Sequence, residues 1–362
     1  MSRRGRTFGV EEEFLLVDPS DGVPRAKAAA LLRKADDPAA VEGELQLQQV
    51  ETGTEPCRSL DELRSQVRST RARASDAARA IGVEIAAIGT SPLPVHAEIT
   101  PSPRYQEMAR RFGLTAQEEL TCGCHVHVGV DSDAEGVAVL DRIRPWLPVL
   151  LAMTTNSPFW QGEDSGYASY RSQVWSRWPS TGVNELFGTV EAYRDTVRSM
   201  IESGTVVDSG MIYFDARLSE HYPTVEIRVA DVCLRADDAV LHAALVRALV
   251  ETAAREWAAG VDAAPVRVEM LRLAGWRAGR SGLETELMDP VTLRPAPVAA
   301  VIEQLLNHVR PALQDVGDLD DVRAMTEDLV RRGSGACEQR ASRERAGGLE
   351  SVVTDVVGYT LE

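Results

Sequence analysis

The sequence predicts an α+β fold in which a strand-rich core is followed by a helical C-terminal part. Strand and helix patterns are interleaved through about residue 232, whereas residues 237–362 are almost entirely helical in pattern. Several connections between the predicted strands are short or loop-like, which favours a mixed or antiparallel sheet over a parallel one. No convincing linker interrupts the chain. We therefore expect one domain over residues 1–362, with its strand-rich core at about residues 6–232.

The predicted strands are short apolar or alternating segments, and the predicted helices show apolar residues at helical spacing. The strands cover residues 7–17, 43–51, 83–88, 121–130, 206–214 and 224–232, and the helices before residue 260 cover residues 59–82, 133–155, 189–203 and 237–259. Ser59-x-x-Glu62 is a capping box that begins the first of these helices. Pro145 and Pro148 require a break or kink in the second. Residues 157–188 are rich in Trp, Gly, Ser and Arg and form a longer stretch than most loops that only connect two elements. We therefore expect them to bind a ligand.

Composition and charge limit the classes of partner. The net charge of −16 over 362 residues repels phosphate backbones, so we expect no nucleic acid partner. No run approaches the roughly 20 apolar residues of a membrane span, and the basic residues 1–9 lack the apolar segment of a signal peptide. An odd number of cysteines, five, fits reduced thiols better than a disulfide framework. We therefore expect a cytoplasmic protein without a membrane partner.

Polar side chains alternate with apolar ones along the predicted strands. Residues two apart on a strand share a face, so Glu12 faces away from its two neighbours. The pairs that share a face are Glu11 with Glu13, His125 with His127, and Glu226 with Arg228. In the second strand the alternation slips at Gln48–Gln49, and a β-bulge there would return Glu44 and Glu51 to a common face.

If these strands belong to one sheet, one of its surfaces collects five carboxylates and an imidazole. Such groups cannot crowd together unpaired, and divalent cations would neutralise them. Carboxylate oxygens with one imidazole suit Mg²⁺ or Mn²⁺ better than zinc, and so many acids predict two or more ions. Sites of this type typically hold polyphosphates. The predicted metal ligands are Glu11, Glu13, Glu44, Glu51, His125 and Glu226.

Other interpretations of these residues remain open. Each pair alone also fits a solvated strand face or a surface ion pair, and only their joint occurrence favours a shared site. A zinc site built from Cys122, Cys124, His125 and His127 is the main competing metal site. Strand alternation sends the cysteines and the histidines to opposite faces, which argues against it. The five cysteines are typical of small buried apolar residues, and nothing indicates a cysteine nucleophile.

The segments that carry these residues resemble a known family. "GVEEEF", "ELQLQQVET", "CGCHVHVG", "NSPFW…GYASYRSQVW", "TVEIRVAD" and "LLRLAGWRAGRSGLETELMDP" are similar to the carboxylate–amine ligase family related to type 2 glutamate–cysteine ligases, in the glutamine synthetase superfamily. The resemblance covers most of the chain. It implies a glutamine synthetase catalytic-domain-like fold: a curved, mostly antiparallel sheet with helices on its outer face and the active site on its concave face.

The resemblance also implies roles for the residues of that face. Glu11 and Glu13 would bind different ions, and the other four predicted ligands would complete their coordination. Arg228 would face the transferred phosphoryl group, and His127 would contact substrate or ATP. The cofactors implied are ATP and two or more Mg²⁺ ions, with Mn²⁺ as an alternative.

The loop at residues 157–188 supplies the expected substrate contacts. Arg171 and Arg177 would bind substrate carboxylates, with Arg171 also a catalytic candidate beside Arg228, and Tyr170 and Trp175 would form walls. The alternative is that both loop arginines only pair with surface acids.

The function implied is an ATP-dependent carboxylate–amine ligase. A substrate carboxylate would attack the γ-phosphoryl group, and an amine would then attack the acyl phosphate. Weak glutamate–cysteine ligase activity, giving γ-glutamylcysteine, is the default expectation, with a homodimer or larger homo-oligomer. A phosphotransferase of the guanidino-kinase type and a non-catalytic nucleotide- or metal-binding protein are the alternatives. Residues 334–348 are expected to form a mobile segment near the site.

Overall fold

An antiparallel sheet of seven strands forms the centre of the computed structural model, which describes residues 5–34 and 41–362. Its strands are β1 (Phe8–Val17), β2 (Glu42–Gly43), β3 (Gln49–Gly53), β4 (Glu84–Ala86), β5 (Gly123–Gly129), β8 (Ala216–Leu218) and β9 (Thr224–Asp231). Two small hairpins lie outside it: β6 (Phe159–Trp160) with β7 (Glu163–Asp164), and β10 (Glu286–Met288) with β11 (Pro295–Pro297).

The strand order is β2-β3-β1-β5-β9-β8, and β4 pairs with the end of β1 beyond the reach of β5. Each pairing in the sheet is antiparallel. The predicted α+β class is therefore confirmed, and β1 lies at the middle of the sheet, between β3 and β5. Its central place explains how residues from distant parts of the chain come to lie beside Glu11 and Glu13.

Fourteen α-helices occupy the described residues, most of them after β9 or between the strands of the sheet. They are α1 (Ala28–Leu32), α2 (Leu60–Arg79), α3 (Pro103–Phe112), α4 (Leu114–Glu118), α5 (Asp133–Ile143), α6 (Leu147–Met153), α7 (Arg171–Trp175), α8 (Val190–Glu202), α9 (Ala236–Ala258), α10 (Val268–Ser281), α11 (Val298–Val316), α12 (Leu319–Arg332), α13 (Gly335–Ala346) and α14 (Leu349–Thr360). Among these described helices, none combines the length and the apolar composition that a membrane-spanning segment requires.

Apolar side chains fill the space between the back of the sheet and the helices. Val10 pairs with Val126, which pairs in turn with Ile227, and all three are buried in the larger of two hydrophobic clusters. Helix α9 contacts β1 and β5 from this side. Burial of each such side chain stabilises the fold by about 1.5–3 kcal/mol. The apolar back leaves the opposite, polar face of the strands to form a cleft.

Glu12 lies on the back of the sheet, as its position between Glu11 and Glu13 predicts. Arg71 from α2 donates two hydrogen bonds to its carboxylate, at 2.9 Å from Nε and 2.6 Å from Nη2. The same guanidinium donates to three backbone carbonyls, those of Cys233, Leu234 and Thr360. Both side chains are almost fully buried. One ion pair therefore joins α2, β1, the segment after β9 and the end of α14.

Two predicted strands differ in the structure. The predicted strand at residues 43–51 is divided into β2 and β3, which pair with each other, and the predicted bulge is wrong because Gln46 leaves the sheet to form a bridge with Ile99. The strand at residues 206–214 is also wrong. It contains a 3₁₀ turn at Ser209–Met211, next to Asp208, whose carboxylate is bound by Arg104 at 2.6 and 2.9 Å.

The C-terminal part after β9 consists of helices α9 to α14 and the β10–β11 hairpin. The segment at residues 334–348, expected to be mobile, is mostly helix α13. Its Gln339 is buried and donates hydrogen bonds to the backbone and side-chain oxygens of Asn156 at 2.8 and 2.7 Å. Its mobility remains a prediction.

Candidate active site

The polar face of four neighbouring strands brings the predicted ligands into one cleft of about 1730 Å³. The register pairs Glu13 with Glu51 across β1 and β3, and Glu11 with His125 across β1 and β5. His127 pairs with Glu226 across β5 and β9. Glu44 joins them from the loop between β2 and β3. The six predicted metal ligands and His127 all line this cleft.

Three groups of side chains in the cleft each have the spacing of a metal site. They are Glu13 with Glu44 and Glu51, Glu11 with Glu51 and His125, and Glu11 with His127 and Glu226, and within each group the candidate ligand atoms lie within 4.8 Å of one another. Two carboxylates are shared, since Glu51 belongs to the first two groups and Glu11 to the last two. The groups therefore form a row of adjoining candidate cation positions across the sheet.

The acidic end of this row has too much negative charge for a buried site. Burial, followed by repulsion from Glu44, raises the pKa of Glu13 to about 7. The same two causes raise the pKa of Glu51 well above its usual value. The backbone N–H of Gly123 donates to Glu13 Oε2 at 2.6 Å, which is too little compensation for three neighbouring acids. A divalent cation would remove this repulsion, and oxygen donors of this kind suit Mg²⁺ or Mn²⁺.

The histidine end of the row is closer to electrostatic balance. Glu11 lies 3.6 Å from His125 Nδ1 and 3.2 Å from His127 Nε2. Burial opposes ionisation of Glu11, but these histidines outweigh it and hold its pKa well below the usual range. Burial and the nearby Arg228 lower the pKa of His125 to about 4. His125 is therefore a neutral imidazole whose Nε2 is buried without a hydrogen-bond partner among the described residues, as a metal ligand requires.

Glu226 is held by two arginines on the same face. Arg228 Nη1 contacts one of its oxygens directly, and Arg217 donates to both at 2.7 and 3.2 Å. Although Glu226 is buried, these cations keep its pKa well below the usual value. Arg217 comes from the short edge strand β8, which the sequence did not predict. The carboxylate is thus ionised, and it is a candidate ligand at the end of the row although both of its oxygens already accept hydrogen bonds from the two arginines.

A bulge in β9 adds a buried acid that the sequence analysis missed. Cys124 pairs with Ala230 and Val126 with Ile227, so two residues of β9 oppose His125 alone. The extra residue reverses the alternation and pairs Asp231 with Gly123. Asp231 accepts hydrogen bonds from Asn156 N–H and from the hydroxyls of Ser157 and Ser169 at 2.7–2.8 Å. A strict two-residue period places Asp231 on the other face, so no sequence signal indicated this position.

Arg171 and Trp175 lie beside the acidic end of the row. The Arg171 guanidinium is 4.0 Å from Asp231 and 5.6 Å from the centroid of the Trp175 ring. The Arg228 guanidinium lies 5.8 Å from the centroid of the same ring. A Cβ on Gly123 would overlap Arg171 Nη2 and stand 3.0 Å from its Cζ. The absence of a side chain at Gly123 therefore lets Arg171 lie against β5.

The remaining residues proposed from the loop lie elsewhere. Arg177 is exposed and ion-pairs with Glu118 at 2.7 Å, as the alternative interpretation expected for a surface acid. Tyr170 packs against Trp160 and Tyr167, with ring centroids 5.7 and 5.8 Å apart. Of the four loop residues, Trp175 is among the described residues that line the cleft, whereas Tyr170, Arg177 and the buried Arg171 are not.

Aromatic residues that the sequence analysis missed also line the cleft near Glu44. Tyr213 contacts Trp175 at 4.8 Å and Trp178 at 5.7 Å between ring centroids. Tyr105 lies close enough to Glu44 for burial and that carboxylate to raise its pKa. Tyr105 and Trp178 lie in segments predicted as loops, and Tyr213 lies in the wrongly predicted strand. The spacing of apolar residues therefore could not show that they face the cleft.

Comparisons with known proteins agree with this architecture. The model of the family described as glutamate-cysteine ligase family 2 matches residues 7–355. A protein of Streptomyces coelicolor named "Putative glutamate--cysteine ligase 2" is 54% identical over 359 residues, covering 98% of this chain and 99% of its own length. A protein of Rhodopirellula baltica with the same name is 37% identical, covering 100% of this chain and 98% of its own length.

Two solved structures share the fold at low sequence identity. A glutamate–cysteine ligase from Francisella tularensis, in complex with AMP, superposes with a TM-score of 0.70 at 12% identity, covering 100% of this chain and 89% of that one. A bifunctional glutathione synthetase from Pasteurella multocida gives a TM-score of 0.72 at 15% identity, covering 99% of this chain. The present chain spans about half, 52%, of the latter protein.

Proposed function

Because the chain belongs to glutamate-cysteine ligase family 2 and is an ATP-dependent enzyme that forms C–N bonds, we propose that its cleft activates a substrate carboxylate as an acyl phosphate and joins it to an amine. The observation that carries this mechanism is the row of three ligand groups on one face of the sheet. A row of cation positions suits a triphosphate, whose charge is distributed along a chain of phosphate groups.

The candidate cofactor fits the donor set of the cleft. Mg²⁺ or Mn²⁺ would be held by Glu11, Glu13, Glu44, Glu51, His125 and Glu226. Bound there, the ions would neutralise phosphate charge and polarise the transferred phosphoryl group. His125 is neutral and Glu226 is ionised at pH 7, so both enter the site in the protonation state that a ligand needs.

Arg228 is the proposed catalytic residue for phosphoryl transfer. It is almost fully buried, and its Nη1 contacts Glu226 and lies 3.4 Å from His125 Nδ1. Its Nε has no hydrogen-bond partner among the described residues. A planar guanidinium so placed can donate to phosphoryl oxygens as negative charge develops on them. His127, whose Nδ1 lies 3.0 Å from the Thr224 hydroxyl, is proposed to contact ATP.

Arg171 and Trp175 are proposed to position the carboxylate substrate. Arg171 is buried, and its Nε has no partner in the described part of the chain. Substrate would contact the Trp175 ring, which lines the cleft, and the positive charge of the buried Arg171 lies 5.6 Å from the centroid of that ring. Holding the reacting atoms in line converts a bimolecular step into an effectively unimolecular one.

Glutamate and cysteine are the proposed default substrates, giving γ-glutamylcysteine weakly. Relatives that cover nearly the whole chain carry glutamate–cysteine ligase in their names, which supports this choice. A cytoplasmic location and a homodimer or larger homo-oligomer, both expected from the sequence, remain predictions.

The experiment is a screen of carboxylates and amines, with release of ADP and phosphate measured in the presence of Mg²⁺. We expect phosphate release to require a carboxylate and an amine together. Alanine at Glu11, Glu51 or Glu226 should abolish it, whereas alanine at Glu191, an exposed glutamate on α8, should not. Unchanged turnover in all three site variants would exclude the proposed mechanism. ADP formed with one substrate that is itself phosphorylated would indicate a phosphotransferase instead.

A further inference from the structure

One acidic side chain of the cleft has no role in the proposed cation positions. Glu119 precedes β5 and lines the cleft, although the residue is only 4% exposed. Its Oε1 accepts a hydrogen bond from the Thr121 hydroxyl at 2.6 Å. Its Oε2 is buried and has no hydrogen-bond partner among residues 5–34 and 41–362. Burying a carboxylate oxygen without a hydrogen-bond donor costs free energy. A ligand that donates a hydrogen bond to Oε2 would remove this cost.

The nearby arginines are engaged with other acids. Arg171 has Asp231 as its neighbour at 4.0 Å, and Arg177 is paired with Glu118 at 2.7 Å. Within the described ranges, neither arginine comes within 4.0 Å of Glu119. Burial therefore dominates over the Thr121 hydrogen bond and these more distant cations, and it raises the pKa of Glu119 to about 7. Glu119 is thus not one half of an internal ion pair.

Two aromatic side chains, Trp178 and Tyr213, line the same cleft as Glu119. The Trp178 indole lies close enough to Glu119 to lower the pKa of its carboxyl, but Nε1 makes no hydrogen bond with good geometry to any described residue. Trp178 contacts Tyr213, and both rings line the cleft. A carboxylate beside aromatic side chains is a combination that recognises an ammonium group, chiefly through a charge-assisted hydrogen bond and, where a ring face is presented, through cation–π attraction.

We infer that Glu119, with Trp178 and Tyr213 as walls, forms a subsite for an ammonium group that one substrate carries in addition to its reacting group. The inference rests on the proposed ligase function and narrows its substrates. A carboxylate with an amino group, or an amine with a second amino group, binds better than the matched compound without it. Glu119 binds and orients this group, and it forms no covalent bond and transfers no proton.

The test compares matched compounds that differ only in an ammonium group. Calorimetry on the full chain, with Mg²⁺ and a non-hydrolysable ATP analogue, measures glutamate against glutarate and 1,3-diaminopropane against propylamine. Glu119→Gln removes the charge and retains an acceptor for Thr121. Glu118→Gln, one residue away in an exposed ion pair, is the control. Wild type and the control should bind the ammonium-bearing member of one pair at least about tenfold more tightly.

In Glu119→Gln we expect this preference to fall below about twofold, with nucleotide affinity unchanged and a thermal midpoint no lower than that of wild type. Glu119→Asp retains the negative charge but shortens the side chain by one methylene, which withdraws the carboxylate from the bound ammonium group. This variant should give an intermediate preference. If the full preference persists in Glu119→Gln or Glu119→Asp, or if wild type prefers neither ammonium-bearing compound, the subsite is refuted. Failure of the ligase proposal is distinguishable, because it would appear as absent ADP release while the binding preference persists.

Discussion

Replacing Glu12 by glutamine should be strongly destabilising, because it leaves the Arg71 guanidinium buried without its counter-charge. The two side chains are 1–2% exposed and share two hydrogen bonds of 2.9 and 2.6 Å. Breaking a buried ion pair on one side typically costs about 3–5 kcal/mol, and we expect Glu12→Gln to lose that much unfolding free energy. Arg71 already donates to three backbone carbonyls. These neutral acceptors do not supply the negative charge that Glu12→Gln removes.

Urea unfolding at pH 7, followed by circular dichroism, measures this loss as a shift in midpoint at constant slope. Glu84→Gln is the control, since Glu84 forms a more exposed ion pair with Arg79 at 2.9 Å, and it should cost less than about 1 kcal/mol. If Glu12→Gln also costs less than about 1 kcal/mol, the ion pair does not hold α2 and α14 to the sheet as described.

Three further changes test the site and the core. Glu51→Gln alters a carboxylate common to two ligand groups, so Mn²⁺ affinity by titration and ADP release should each fall at least about a hundredfold. Gly123→Ala overlaps Arg171 and should cost about 1–3 kcal/mol in thermal unfolding and raise KM for the carboxylate, whereas Gly275→Ala in open space should do neither. His242 is buried without a partner in the described chain, and burial lowers its pKa from 6.5 to about 4. As the pH falls, His242 is protonated in the unfolded state before it is protonated in the folded state. About 3 kcal/mol of unfolding free energy should therefore be lost between pH 6.5 and pH 4. Urea unfolding of His242→Leu at a series of pH values should show that this loss of unfolding free energy has disappeared. If the unfolding free energy of the variant falls with pH as steeply as that of wild type, the interpretation of His242 is wrong.

Local patterns were sufficient for the elements that carry most of the site. Alternation along β1, β5 and β9 identified the faces of Glu11, His125 and Glu226, because a strand between an apolar core and a polar cleft must alternate. The Ser59 cap of α2 is formed as predicted, with its hydroxyl accepting from Glu62 N–H at 3.2 Å.

The features that escaped prediction depend on contacts between distant segments. Glu44 reaches the cleft from a loop, rather than through a bulge, because Gln46 bridges to Ile99 outside the sheet. Asp231 changes face because β9 accommodates an extra residue opposite His125. Glu119 and Tyr213 enter the cleft from irregular segments, where no period relates a residue to a face.

The carboxylates shared between candidate positions would link cation binding in the cleft to nucleotide binding. Glu11 and Glu51 each belong to two candidate ligand groups, so the acids of the row would carry too little negative charge for three divalent ions placed beside Arg217 and Arg228. A polyanion that binds together with the ions would supply the missing negative charge. Full loading of the row and docking of the triphosphate should therefore be a single linked equilibrium, in which each strengthens the other by the same factor.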